Sequence, residues 1–275
     1  MSTLAASFDR VLDAAPGQWS LCIIDGAGAP VYRRDAERVR PTASSAKVLV
    51  LLAAAIGIEA GDLDPRETLR RDAVGPVADS GLWQWMDVAA LPLVDVAMLV
   101  GSVSDNLATN VLLARLGGPG AVMRLARSVG VHGVALHDIV RDVRTDADPS
   151  VLSSGTAEGY AAVFHQLGRG EMGGDRVSAR VCGWLANGCD LSMVAGAFGF
   201  DPLAHAEADR GWRLCHKTGT DVGVRADSGV IAYGARRWAY SCLAHFDEAA
   251  GERDDVLAAM RTVGRSLRDA LPQMR

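Results

Sequence analysis

Apolar positions along the 275-residue chain change spacing from helical to strand-like and back. Leu4, Phe8, Val11 and Leu12 recur at intervals of three and four, predicting an amphipathic helix over Leu4–Ala14. Trp19–Asp25 and Pro30–Arg34 read as strands, with Gly26-Ala27-Gly28 between them as a hairpin signal. Pro41 and Thr42 lead to the apolar run Val48–Ile58, the pattern of a buried helix, which Gly61-Asp62-Leu63-Asp64-Pro65 ends. A loop-rich segment with Gly75-Pro76 and Ser80-Gly81 closes on Leu82-Trp83-Gln84-Trp85.

Helical patterns follow over Leu91–Val103, Asn106–Leu116 and Ala121–Val129, the second stopped by Gly117-Gly118-Pro119. Gly130–Ser150 is irregular and rich in Asp and Arg. Thr156–Leu167 predicts a helix with Tyr160, Val163, Phe164 and Leu167 inward, and Arg176–Asn187 another. From Trp212 the period falls to that of strands, over Arg213–Thr220, Ser228–Tyr233 and Trp238–Phe246, before a closing helix over Asp254–Leu271. Strands at both ends with helices between predict an α/β unit built from residues 1–43 and 210–275, a helical unit inserted over 44–209, and a site between them.

Composition then narrows the function. Hydrophobic residues at 49% and charged residues at 22% are ordinary for a globular protein. A net charge of −5 and the lack of any Lys/Arg-rich run argue against a nucleic-acid partner. No stretch is expected to cross a membrane, Val48–Ile58 being about half the length needed. Residues 1–20 lack the basic start, apolar core and small-residue cleavage site of a signal peptide, so a cytoplasmic protein is expected. Five cysteines, Cys22, Cys182, Cys189, Cys215 and Cys242, show no metal-ligand spacing and are expected to be buried and reduced.

Candidate chemistry starts at Ser44-Ser45-Ala46-Lys47. A Ser and a Lys three residues apart at a helix head share one face. An unprotonated Lys can take the serine proton, and the helix N-terminus offers N–H groups to a forming oxyanion. The motif alone is weak, but lysine is scarce here. Among 28 basic residues only Lys47 and Lys217 are lysines, and lysine, unlike arginine, can act as a base. Ser104-Asp105-Asn106 follows an apolar helix. Its Ser hydroxyl can relay a proton and its Asn amide can hold a lysine, although a Ser or Asp there also serves as a plain helix cap. His216-Lys217-Thr218-Gly219-Thr220 lies on a predicted strand. Lys217 supplies a cation, Gly219 allows a substrate backbone to lie close, and the Thr220 N–H could complete an oxyanion hole with that of Ser44. His216 reads as a packing residue.

S-x-x-K, S-D-N and K-T-G in this order resemble the penicillin-recognising serine hydrolases, and within them the class A β-lactamases. Ser104–Asn110, Leu116-Gly117-Gly118-Pro119, Gly211-Trp212-Arg213 and Ser228-Gly229-Val230-Ile231 extend the likeness over nearly the whole chain. The resemblance implies an antiparallel sheet flanked by terminal helices with an inserted all-α unit, and no metal or organic cofactor. It casts Ser44 as the acylated nucleophile, Lys47 as its base, Ser104 as proton shuttle and Asn106 as an anchor. Lys217, Thr218 and Thr220 would bind the substrate carboxylate and carbonyl, with Arg225 assisting Lys217. Trp83 and Trp85 fit either as aromatics flanking the site or as core residues.

One family element is missing. Class A enzymes carry a deacylating Glu in the loop corresponding to Gly130–Ser150, yet no Glu occurs between Asp105 and Glu158. Asp138 and Asp142 stand as substitutes for it. The remaining acids of the loop read as partners of Arg141 and Arg144. The expected function is therefore a serine hydrolase that forms an acyl-enzyme at Ser44 on a β-lactam or related cyclic amide, with a small carboxylate-bearing molecule as partner. A cytoplasmic amidase, esterase or acyltransferase on the same machinery is the alternative, and an acylated sensor without turnover is the third.

Overall fold

The computed structural model describes residues 2–273. Helix α1 (Ser2–Ala14) precedes the hairpin of β1 (Gln18–Asp25) and β2 (Pro30–Arg34), which coincide with the predicted elements to within two residues. The chain then makes a short strand, β3 (Arg40–Pro41), and a 3-10 turn, Ala43–Ala46, that runs into helix α2 (Lys47–Ala60). Strands β4 (Thr68–Arg70) and β5 (Ala90–Pro92) pair ahead of three helices, α3 (Leu93–Ser102), α4 (Asn106–Arg115) and α5 (Gly118–Ser128). Helix α5 starts earlier than its apolar pattern suggests, because Gly117 caps it in the left-handed conformation and Pro119 fits its first turn. Strands β6 (Val134–Leu136) and β7 (Ser153–Gly155) bracket the Asp- and Arg-rich loop and join β3 in a small sheet. Helices α6 (Ala157–Arg169) and α7 (Asp175–Leu185) lead to β8 (Trp212–Asp221), β9 (Val224–Tyr233), β10 (Arg236–His245) and the closing helix α8 (Arg253–Ala270).

The main sheet is antiparallel, in the order β2-β1-β10-β9-β8, so β8 is an edge strand. Two apolar cores lie on its two sides. One joins Phe8 and Leu12 of α1 to Val256, Met260, Val263 and Leu267 of α8 over Leu21, Ile231 and Tyr240. The other is centred on α2, every residue of which from Lys47 to Ala55 is buried, and reaches the sheet through Cys215, Val230 and Ala239. Met193, Val194, Ala195, Ala197, Phe198 and Phe200 pack into the α1/α8 core.

The span expectation also needs correcting. With its leading turn, Ala43–Ala60 is 18 residues of mean hydropathy 1.7, long and apolar enough to cross a membrane. In the folded chain 67% of it is buried inside protein, which makes it the central core helix. Its near-uniform apolarity follows from being surrounded by α3, α4, α5 and α7.

Candidate active site

The 3-10 turn places the nucleophile candidate. Residues i and i+3 of a 3-10 turn share one face, so the turn over Ala43–Ala46, capped by Lys47, brings Ser44 to the side of the chain that carries Lys47. Ser44 is half-buried and opens on a cavity of about 950 Å³. That cavity is lined from one side by Ser104, Asn106, His216, Lys217, Thr218 and Thr220, and from the other by Val140, Arg141, Asp142 and Arg144. Among the described residues, three of the five non-glycine positions with positive φ lie on it: Ala43 (φ 46°), Asp79 (φ 66°) and Ser104 (φ 55°). Strained backbone of this kind persists only where its surroundings hold it.

The lysines form the centre. Lys47 is wholly buried, and its Nζ donates to Ser104 O at 2.6 Å and to Asn106 Oδ1 at 2.7 Å, with Ser104 Oγ at 3.3 Å. Lys217 Nζ donates to Ser104 Oγ at 3.0 Å and to Thr218 O at 2.9 Å. One serine hydroxyl thus joins both amines. Burial, and then the Lys217 charge, push the Lys47 pKa well below that of an ordinary lysine. Burial pushes Lys217 down to about 8, against the pull of Asp190 and Asp227. Ser104 O, Asn106 Oδ1 and the more distant Ser104 Oγ together fix the position of the Lys47 amine. No Ser44–Lys47 hydrogen bond is among these contacts. In a site without substrate such bonds are often long and tighten in the complex.

Asp105, buried to 1% exposure, holds this wall together. Its Oδ1 caps α4 through Ala108 N at 2.8 Å, and its Oδ2 accepts from Leu82 N at 2.7 Å and Trp83 N at 2.8 Å. A cap and a loop anchor are therefore the same carboxylate. Gly81 (φ 125°) must lack a side chain, because a Cβ there would lie 2.4 Å from Asp105 Cγ. Asn106 Nδ2 donates to Ala78 O at 3.0 Å, tying Lys47 to the loop that carries Asp79 and Ser80.

Several expected roles change. Gly219 is absent from the cavity lining; a Cβ there would lie 2.2 Å from Thr42 O and 2.7 Å from Ser45 Oγ. Its bare backbone makes room for the Ser44 turn. Arg225 also lies outside the lining, buried over the Phe246 ring with its Nη1 donating to Asp221 O and Val224 O at 2.8 Å. The register pairs Arg225 with Thr220 on β8, and its guanidinium is held at the end of that strand by the Asp221 and Val224 carbonyls. Trp83 is fully buried in the core, whereas Trp85 is 80% exposed. His216 is more than packing. Its Nδ1 lies 2.9 Å from Asp227 Oδ1, which also accepts from the Tyr240 hydroxyl at 2.9 Å, and its ring reaches the cavity wall.

The two substitute carboxylates separate. Asp138 is buried and lies outside the lining, with Arg141 at 2.7 Å and Arg144 at 2.6 Å. Burial opposes its charge, but the bonds from Arg141, Arg144 and the Ile139 N–H outweigh that and hold its carboxyl below the usual range. Asp142 is exposed on the cavity and accepts from Ala78 N at 2.9 and 3.1 Å. Asp79, Cys189, Asp190 and Asp221 also line the cavity. No motif pointed to them, because the fold alone brings these loops to the cavity. Among the described residues no group of three or more His, Cys, Asp or Glu side chains could hold a metal ion.

Comparison with known proteins agrees with the architecture. The sequence profile of the β-lactamase enzyme family matches residues 3–271. A mutant of PBP-A solved as its acyl-enzyme with penicillin G superposes with a TM-score of 0.82 at 19% identity, over 100% of this chain and 98% of that one. A β-lactamase from Sphaerobacter thermophilus gives 0.80 at 22% identity, over 100% and 98%. An ancestral class A β-lactamase gives 0.80 at 19% identity, over 98% and 100%. At these identities the three structures speak to the fold, which is that of the serine β-lactamases.

Proposed function

We propose that this chain, which belongs to the β-lactamase enzyme family, is a hydrolase that transfers the acyl group of a β-lactam or related cyclic amide to Ser44. The observation that carries this reading is Lys47, wholly buried and held by Ser104 O and Asn106 Oδ1, with Lys217 on the same Ser104 hydroxyl. Neutral Lys47 takes the Ser44 proton as Oγ bonds to the carbonyl carbon. The N–H groups of Ser44 and Thr220 receive the oxyanion. The C–N bond then breaks, and the Ser104 hydroxyl hands its proton to the departing nitrogen while regaining one from Lys47. Lys217, Thr218 and Thr220 take a substrate carboxylate, which favours small anionic molecules.

Release of the acyl group needs a water and a base on the opposite wall. Asp142 is the carboxylate of the Gly130–Ser150 segment that supports this role best, since Asp138 faces two arginines. Asp142 is exposed and shares its oxygens with Ala78 N. Both of its oxygens are already engaged by that N–H, so the acyl-enzyme is expected to outlast its own formation. Intact mass after mixing with benzylpenicillin tests the proposal. A covalent adduct on the wild type and none on Ser44→Ala is the expected result; an adduct that survives Ser44→Ala would refute it.

A further inference from the structure

Two thiols meet where α7 packs against the edge strand. Cys182 Sγ of the helix lies 2.7 Å from Cys215 Sγ of β8, both as free thiols. Two sulfurs that share no bond sit further apart than this, and a disulfide would need a closure of only about 0.7 Å to its usual S–S length near 2.04 Å. The two positions are fixed by different elements, so the encounter comes from packing rather than from neighbouring sequence. Cys215 is buried within the helical core and Cys182 is half-buried against it. Cys22 and Cys242 are buried, and Cys189 lies on the cavity wall, bonded to Asn187 O.

We infer that Cys182 and Cys215 form a modification site, oxidised to a disulfide by a small-molecule disulfide of the glutathione class. The half-buried Cys182 attacks first, because it is the more accessible of the two, while burial and contact with Cys182 push the Cys215 thiol well up. Its thiolate displaces one thiol from the small molecule and leaves a mixed disulfide. Cys215 then attacks the Cys182 sulfur, and its proton leaves with the second small-molecule thiol. Two protein thiols are oxidised and one external disulfide becomes two thiols. The bridge would pin α7 to β8 two residues before Lys217 and enclose Cys189 and Asp190 of the cavity wall in its loop.

The test is independent of any hydrolytic activity. The folded protein is incubated with oxidised glutathione, quenched, unfolded and alkylated, then weighed and mapped by peptides. The expected product carries three labels in place of five, loses two hydrogens, and yields one cross-linked peptide pair joining Cys182 to Cys215. Its Tm should exceed that of the reduced form by several degrees, since the closed loop restricts the unfolded chain. Cys182→Ser, at the half-buried partner, should keep the circular dichroism of the wild type and lose the bridge. Five labels after oxidation, a stable glutathione adduct at Cys182, or a bridge between other cysteines or between chains would each overturn the inference.

Discussion

On the wall built by α2, α4 and β8, Lys47, Asn106 and Lys217 are all buried and each polar atom has its partner within the fold. On the facing wall, Arg141 and Asp142 are exposed, and the segment is laced by Asp138 and Asp148 pairs with Arg141 and Arg144. Dense packing leaves the first wall one arrangement, in which burial lowers the pKa of Lys47 and a hydroxyl sits between two amines. On the second wall a buried Asp138 anchors Arg141 and Arg144, while the outward-facing side chains remain adjustable at little cost. The proposed acylation chemistry belongs to the rigid side, and the proposed release to the side that can vary.

The comparison breaks most completely at Lys47. Lys47→Met should lower the acylation rate with benzylpenicillin by about a thousandfold or more, the scale of removing a nucleophile's base. Its Tm should be at least that of the wild type. A lysine whose folded pKa lies below its unfolded value binds fewer protons when folded, so it lowers stability as pH falls below about 10.4, and Met removes that penalty. A thermal melt and a single-turnover assay on one sample check both halves.

Asp105→Ala should separate packing from chemistry on the same wall. It strips three backbone N–H groups of their acceptor, at a cost of about 2–4 kcal/mol in a urea melt. The loop at Leu82 and Trp83 should loosen with it, visible as faster amide exchange there.

A pH profile sharpens the contrast further. The rate constant for acylation should rise as Lys47 loses its proton and fall again above about 8, where Lys217 loses its charge and with it the hold on a substrate carboxylate. In Lys217→Arg the alkaline limb should move beyond that range, because arginine stays charged. Smallest of all, Asp138→Asn should cost about 1 kcal/mol of stability and change acylation by less than about twofold, since its arginine partners stay partly solvated.

Much of the rigid side was legible in the sequence, because its chemistry demands residue types that packing alone would not choose. Ser44, Lys47, Ser104, Asn106 and Lys217 stood out through three spaced motifs and through the rarity of lysine. What those motifs could not convey was direction. Gly219 reads as an opening for substrate, and the fold shows it also clearing Thr42 O; Arg225 reads as a partner of Lys217, and the fold shows its guanidinium engaged by the Asp221 and Val224 carbonyls. Asp79 and Asp190 carry no signal at all, since tertiary folding alone brings their loops to the cavity. The short strands β3, β6 and β7 escaped for a related reason: two or three residues are too few to show a period.

The division between the walls can be measured directly by resolving acylation and release in Asp142→Asn with a chromogenic cephalosporin under burst conditions. The account predicts acylation within about threefold of wild type and release slowed by about tenfold or more, the low end of what a general base contributes. Equal losses in both steps, or release unchanged, would contradict it.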